Sequence, residues 1–169
     1  MFPDGANMKK ILKLVLIVSV AAIPPGIAQQ PEPKRPLGVP AEAKFFNGKW
    51  YHVYLEKMGW DAAKQKCARL GGQLVVIPDE ATWTFVKGLA GTASLWIGLS
   101  DDRKSSVWEW VDGTPVTFTA WLKDQPDHGE GGKEHYVHTR SGGWNDAVRT
   151  GRIDDRNYVV GFICEWTKK

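Results

Sequence analysis

The chain has 169 residues, 43% of them hydrophobic, with nine tryptophans and two cysteines, which is enough apolar material for one domain with its own core. Its formal net charge is +3, and Lys9, Lys10 and Lys13 supply most of that excess. The near-neutral remainder excludes binding to a polyanion by charge alone, so no nucleic-acid partner is expected.

The three lysines lead into an apolar run, LVLIVSVAAI, which ends at Pro24 and Pro25 and is followed by Gly26-Ile27-Ala28. This is the pattern of a signal peptide over residues 1–28, cut after Ala28, and it predicts a secreted or periplasmic protein. Met8 is an alternative start, because MKKILK opens such a segment better than MFPDGAN. The run falls short of the roughly 20 residues that span a bilayer, so no membrane span is expected after cleavage; an uncleaved segment would act as a tether. Residues 29–43 contain QQPEPKRPLGVP, whose prolines favour extended, solvated chain, and they read as a linker to a domain over 44–169.

FFNGKWYHVYLE, from Phe45, carries aromatic and β-branched residues around Asn47-Gly48 and predicts a hairpin. In WDAAKQKCARLGG the residues Trp60, Ala63, Cys67 and Leu70 recur at helical spacing, Asp61 suits the positive end, and Gly71 stops the helix. Leu74 to Ile77 is a short buried strand, and a second helix follows Pro78, with Asp79 as its cap and Phe85, Val86 and Leu89 facing inward. Strands are then expected at Leu95–Leu99, Val107–Val111, His135–Thr139, Ser141–Asp146 and Val159–Trp166, with Phe162, Cys164 and Trp166 sharing one side. The order of hairpin, helices, strands and long loops is that of an α+β fold with antiparallel sheets.

Cys67 and Cys164 stand near opposite ends of this domain. An even count in an exported chain invites pairing. A bridge closing a loop of roughly 100 residues is worth about 4 to 5 kcal/mol in the chain-entropy treatment. Two buried free thiols are the other reading.

The stretch DQPDHGEGGKEH, from Asp124 to His135, has almost nothing apolar to bury. Loops of this length inside a compact domain are usually functional. Gln125, Asp127 and Glu134, with Asn145 and Asp146 after Trp144, group the amide and carboxylate oxygens that a hard cation takes. One oxygen from each, with one backbone carbonyl, leaves about two positions for water or ligand in an eightfold calcium shell. Without a divalent ion the carboxylates would repel one another and leave the loop mobile.

From about Lys44 to Trp166 the chain resembles a C-type lectin domain. The resemblance rests on the Trp60-to-Leu70 helix with its cysteine, WIGL at Trp96–Leu99, WEWVDG, the triplet QPD at Gln125–Asp127, WND at Trp144–Asp146 and the terminal GFICEW. It implies a C-type lectin-like fold with a long calcium-binding loop region, a cis peptide bond before Pro126, and one Ca2+ held by Gln125, Asp127, Glu134, Asn145 and Asp146. The same five residues would hydrogen-bond two neighbouring sugar hydroxyls on that ion. Gln first and Asp last in the triplet implies a galactose-type preference.

Three departures bear on those expectations. Tyr136 and Val148 stand where a second bridge would have cysteines. His128 and Gly129 follow the triplet where many galactose binders have an acid and a tryptophan, whose stacking would be worth about 1 to 3 kcal/mol. His128 and His135 also replace acids of an accessory calcium site, so one ion is expected, not two.

The tryptophans at 96, 108, 110 and 166 read as core, because they alternate with strand faces. A zinc site from His135 and His138 is disfavoured, since an odd spacing on a strand points them to opposite faces. Arg149, Arg152 and Arg156 with Asp154 and Asp155 read as a solvated, self-paired loop. No Ser-His-Asp, GxSxG, HExxH or phosphate-loop pattern is present, so no catalytic residues are assigned and an enzyme is not expected. The expectation is a calcium-dependent carbohydrate binder. A protein-interaction module on the same scaffold, with a protein partner in place of the glycan, is the alternative.

Overall fold

A computed structural model describes residues 33–101, 107–152 and 158–167. The signal-peptide segment, residues 29–32, Asp154, Asp155 and Arg156 lie outside the described residues. Among those described, no helix is long and apolar enough to cross a membrane.

The elements run β1 (Lys44–Phe46), β2 (Lys49–Tyr54), α1 (Trp60–Arg69), β3 (Gln73–Leu74), α2 (Glu80–Ala90), β4 (Leu95–Ser100), β5 (Glu109–Trp110), the single turn α3 (Gly129–Gly132), β6 (Glu134–Arg140), β7 (Gly143–Val148) and β8 (Gly161–Thr167). The strands form one sheet in the order β1-β2-β8-β4-β6-β7, with β3 on β8 and β5 on β4. All pairings are antiparallel except β4 with β8, where Leu95 faces Gly161 and Trp96 faces Phe162. The first hairpin turns at Asn47 and Gly48, both in the left-handed region. Asp79 caps α2 as expected, its Oδ1 accepting the Thr82 N–H at 2.7 Å.

The expected strand at Leu74–Ile77 is shorter, since only β3 pairs in ladder form. Val75 continues its hydrogen bonding, donating its N–H to Ile163 O (3.0 Å) and accepting from Gly98 N–H (2.8 Å). Gly98 is required there: a Cβ would lie 2.9 Å from Leu74 O and 2.8 Å from Val111 Cγ2.

Side-chain alternation divides the core into two clusters. One gathers Trp60, Ala63 and Cys67 of α1 with Trp96, Tyr136, Phe162, Cys164 and Trp166. The other packs Trp83, Val86 and Ala90 of α2 with Ile97, Leu99, Trp110, Val137, Trp144 and Ile163. Phe162, Cys164 and Trp166 share a side, as period-2 reading predicts, and the intervening Ile163 faces the other. Indole N–H groups fasten α1 and its flanks to the sheet: Trp60 donates to Ile97 O, Trp96 to Met58 O and Trp166 to Leu70 O, each at 2.9 Å. Trp108 packs at the edge of the second cluster, half-buried, with Trp121 (5.0 Å) and His128 (5.6 Å) beside its ring.

Two further differences have local causes. Residues ahead of Lys44 pack on the domain, with Val39 and Ala43 buried in the first cluster and the Arg35 guanidinium 5.0 Å from the Trp50 ring. The short run of apolar residues inside the Pro-rich segment therefore finds a place in the core that its composition does not announce.

Cys67 and Cys164 are the second difference. They are neighbours in the first cluster, fully buried, and stand as free thiols, so the expected bridge is not part of this structure. Burial, followed by hydrogen bonding with Cys67, pushes the Cys164 thiol far above its usual range. In this apolar setting the protonated pair behaves as two small hydrophobic side chains.

Candidate metal centre

The β6–β7 hairpin carries half of the site. Asp146 and Asn145 lie on β7 opposite Val137 and His138. Asn145 commits its Nδ2 to Asp146 O. The loop from Trp121 brings the other half, through a cis peptide bond between Gln125 and Pro126. Asp124, His128 and Glu130 all take positive φ, and Gly131 and Gly132 continue the left-handed path where only glycine is unstrained. Asp146 secures this loop from below. Its Oδ2 accepts the His128 N–H at 2.9 Å and its Oδ1 accepts the Asp127 N–H at 3.4 Å.

The carboxylates of Asp127, Glu134 and Asp146 converge, each offering an oxygen within 4.8 Å of the others. Burial, then the charges of Asp146 and Asp127, pushes the Glu134 carboxyl up to about 7. Burial also raises Asp146, against the hydrogen bonds it accepts from the loop backbone. Gln125 Oε1 is buried and makes no hydrogen bond to the described residues. Mutually repelling carboxylates, with an orphaned amide oxygen two residues before one of them in the same loop, are a donor set that suits a hard divalent cation. Of the five oxygen-bearing residues singled out in the sequence, three are brought together directly; Asn145 adjoins Asp146 in the chain and Gln125 precedes Asp127 by two residues.

A second cluster lies beside the first. Asp101, just after β4, receives His128 Nε2 at 2.9 Å on Oδ2 and His135 Nδ1 at 2.7 Å on Oδ1. Asp101 is absent from the sequence-derived set. Its only signal is a carboxylate following a mostly apolar strand, and its partners lie 27 and 34 residues away. His138 is held apart, fully buried, donating Nδ1–H to Thr139 O at 2.8 Å. The described arginines of the loop after β7 also reach beyond it: Arg149 meets Asp61 at 3.2 Å and Arg152 meets Glu130 at 2.6 Å, while the expected pairing with Asp154 and Asp155 falls outside the described residues.

Residues 56–166 match the family model described as the Lectin C-type domain. The chain is 33% identical over 125 residues to the hepatic lectin of Gallus gallus, covering 72% of this chain and 56% of that protein, so it spans about half of that relative's length. Among solved structures it is similar to the mouse scavenger receptor C-type lectin carbohydrate-recognition domain, with TM-score 0.66, 32% identity, and coverage of 77% of this chain and 97% of that one. Herring type II antifreeze protein is also similar, with TM-score 0.66, 27% identity, and coverage of 77% and 99%. With the family model spanning most of the described residues and the α+β architecture shared with these structures, the chain belongs to the C-type lectin domain family.

Proposed function

We propose that the protein is an exported, non-enzymatic carbohydrate binder that holds its glycan through one calcium ion at Gln125, Asp127, Glu134, Asn145 and Asp146. The observation that carries this reading is the convergence of the Asp127, Glu134 and Asp146 carboxylates, with Glu134 pushed towards protonation by burial and then by the charges of Asp146 and Asp127. A bound calcium ion supplies coordination positions for two neighbouring sugar hydroxyls and neutralises the cluster. The chain's own side chains orient the sugar: the Gln125 amide can donate to a hydroxyl while the carboxylates of Asp127 and Glu134 accept from one. That distribution of donors and acceptors favours galactose-type hydroxyl geometry.

A second reading, a protein-interaction module, is favoured by one feature. Gly129 offers no side chain beside the triplet to pack on a sugar face, and the herring antifreeze protein carries a different function on a similar fold. A glycan array probed with calcium and again with chelator separates the two. Galactose-terminated binding lost on chelation supports the first, whereas array silence with chelator-insensitive capture of a protein ligand would overturn it.

A further inference from the structure

We propose that Asp101, His128 and His135 form a second metal site, selective for a borderline transition-metal cation such as Zn2+ and distinct from the neighbouring oxygen cluster. The donor set is the first argument. Two imidazole nitrogens and one carboxylate oxygen suit zinc or its first-row neighbours, whereas calcium and magnesium take oxygen almost exclusively. Three protein ligands with a fourth position open is an arrangement zinc commonly adopts.

The geometry is the second argument. Asp101 Oδ2 lies 2.9 Å from His128 Nε2, Asp101 Oδ1 lies 2.7 Å from His135 Nδ1, and one ligand atom from each residue lies within 4.8 Å of the others. Ligand atoms about 2.0 to 2.2 Å from a tetrahedral ion stand about 3.3 to 3.6 Å apart. Each imidazole nitrogen therefore has to draw back from its carboxylate oxygen by less than about 1 Å to admit an ion, with each ring N–H replaced by a bond to the metal. The Asp101 side chain is wholly buried and fixed, while the rings of His128 and His135 retain 30% and 25% exposure and leave a route from solvent. Trp108, 5.6 Å from His128, steadies that ring.

The chain delivers the two histidines from a bulged strand and from the loop before it. Between Glu134 and Tyr136, β6 advances two residues while β7 advances one, from Val148 to Ala147, so His135 is the inserted residue of a bulge. Bulges re-aim a side chain. Here Glu134 joins the oxygen cluster and the next residue, His135, joins Asp101. The loop repeats the division, with Asp127 in one cluster and His128 in the other. Adjacent residues are thus sorted by donor type, oxygen to one side and nitrogen to the other.

The full chain, free of any histidine tag, is titrated with Zn2+ by calorimetry and with Co2+ by visible absorption, each with and without millimolar calcium. The expected result is one equivalent bound at micromolar concentration or tighter in both conditions, with the intense bands of four- or five-coordinate cobalt. His128→Gln with His135→Gln is expected to weaken zinc by about a hundredfold or more, while His52→Gln and Asp127→Asn leave zinc affinity unchanged. Asp127→Asn separates this site from the calcium reading, since it impairs the oxygen cluster alone. The proposal is overturned if wild-type affinity is weaker than millimolar, if the double variant binds zinc as wild type does, or if saturating calcium displaces the zinc. If the double variant fails to fold, the wild-type cobalt spectrum decides: weak bands of an all-oxygen octahedral shell overturn the proposal.

Discussion

Gly129 sits against the Glu134 carboxylate so closely that a Cβ at this position would stand 2.5 Å from Oε2 and 3.3 Å from Asp127 Oδ1. The missing side chain is thus a steric requirement of the oxygen cluster as built. Gly129→Ala must displace Glu134, and calcium affinity is expected to fall about tenfold, or about 1.4 kcal/mol. Calorimetric titration with calcium reads this directly; an unchanged dissociation constant would show that Glu134 does not ligate.

Asp146 joins the oxygen cluster to the loop backbone, and its side chain is completely buried. Asp146→Ala should remove the calcium-dependent rise in melting temperature, which at a hundredfold excess over the dissociation constant corresponds to about 2.7 kcal/mol. Cooperative unfolding should persist, because the Asp146 side chain belongs to neither hydrophobic cluster. Melting curves with and without calcium test it, and a variant that responds to calcium as wild type does would refute the ligand assignment.

His138 is buried, and burial is the main reason its imidazole is held down to about 4. An unfolded histidine near 6.5 takes up a proton that the folded one refuses. The folded state is therefore at full advantage above pH 6.5 and loses that advantage as pH falls towards 4, by about 3 kcal/mol in all. His138→Gln should flatten the dependence of unfolding free energy on pH across this window, whatever it does to stability at pH 8. Denaturant titrations at several pH values measure the slope, and equal slopes in the two proteins would contradict the buried neutral imidazole.

Burial of Cys67 and Cys164 predicts that neither thiol reacts in the native protein. With a chromogenic disulfide reagent and no reductant, the expected count is none in buffer and both cysteines after denaturation. No reaction after denaturation would mean that the isolated protein carries a bridge.

What was legible in the sequence was whatever depended on near neighbours. Period-2 alternation placed Phe162, Cys164 and Trp166 on one face, and Asp79 announced its own cap three residues before Thr82. The oxygen cluster was readable because QPD and WND bring their oxygen-bearing side chains in short, recognisable groups. Asp101 was not, since it meets His128 and His135 only through the pairing of β4 with β6 and a bulge that one-dimensional alternation cannot locate. The same limit explains the histidines. His135 and His138 do fall apart as their odd spacing requires, but the partner of His135 comes from a loop with no period at all. The packing of Val39 and Ala43 was hidden by the prolines around them, whose average character is that of solvated chain.

The pairing of β2 with β8, from Lys49 opposite Thr167 to Tyr54 opposite Phe162, with β1 outside β2, means that polypeptide enters and leaves the sheet within three neighbouring strands of one edge. A domain closed in this way can be spliced into or hung from another protein at a single point of attachment. Host segments on either flank need not be pushed apart to accommodate it.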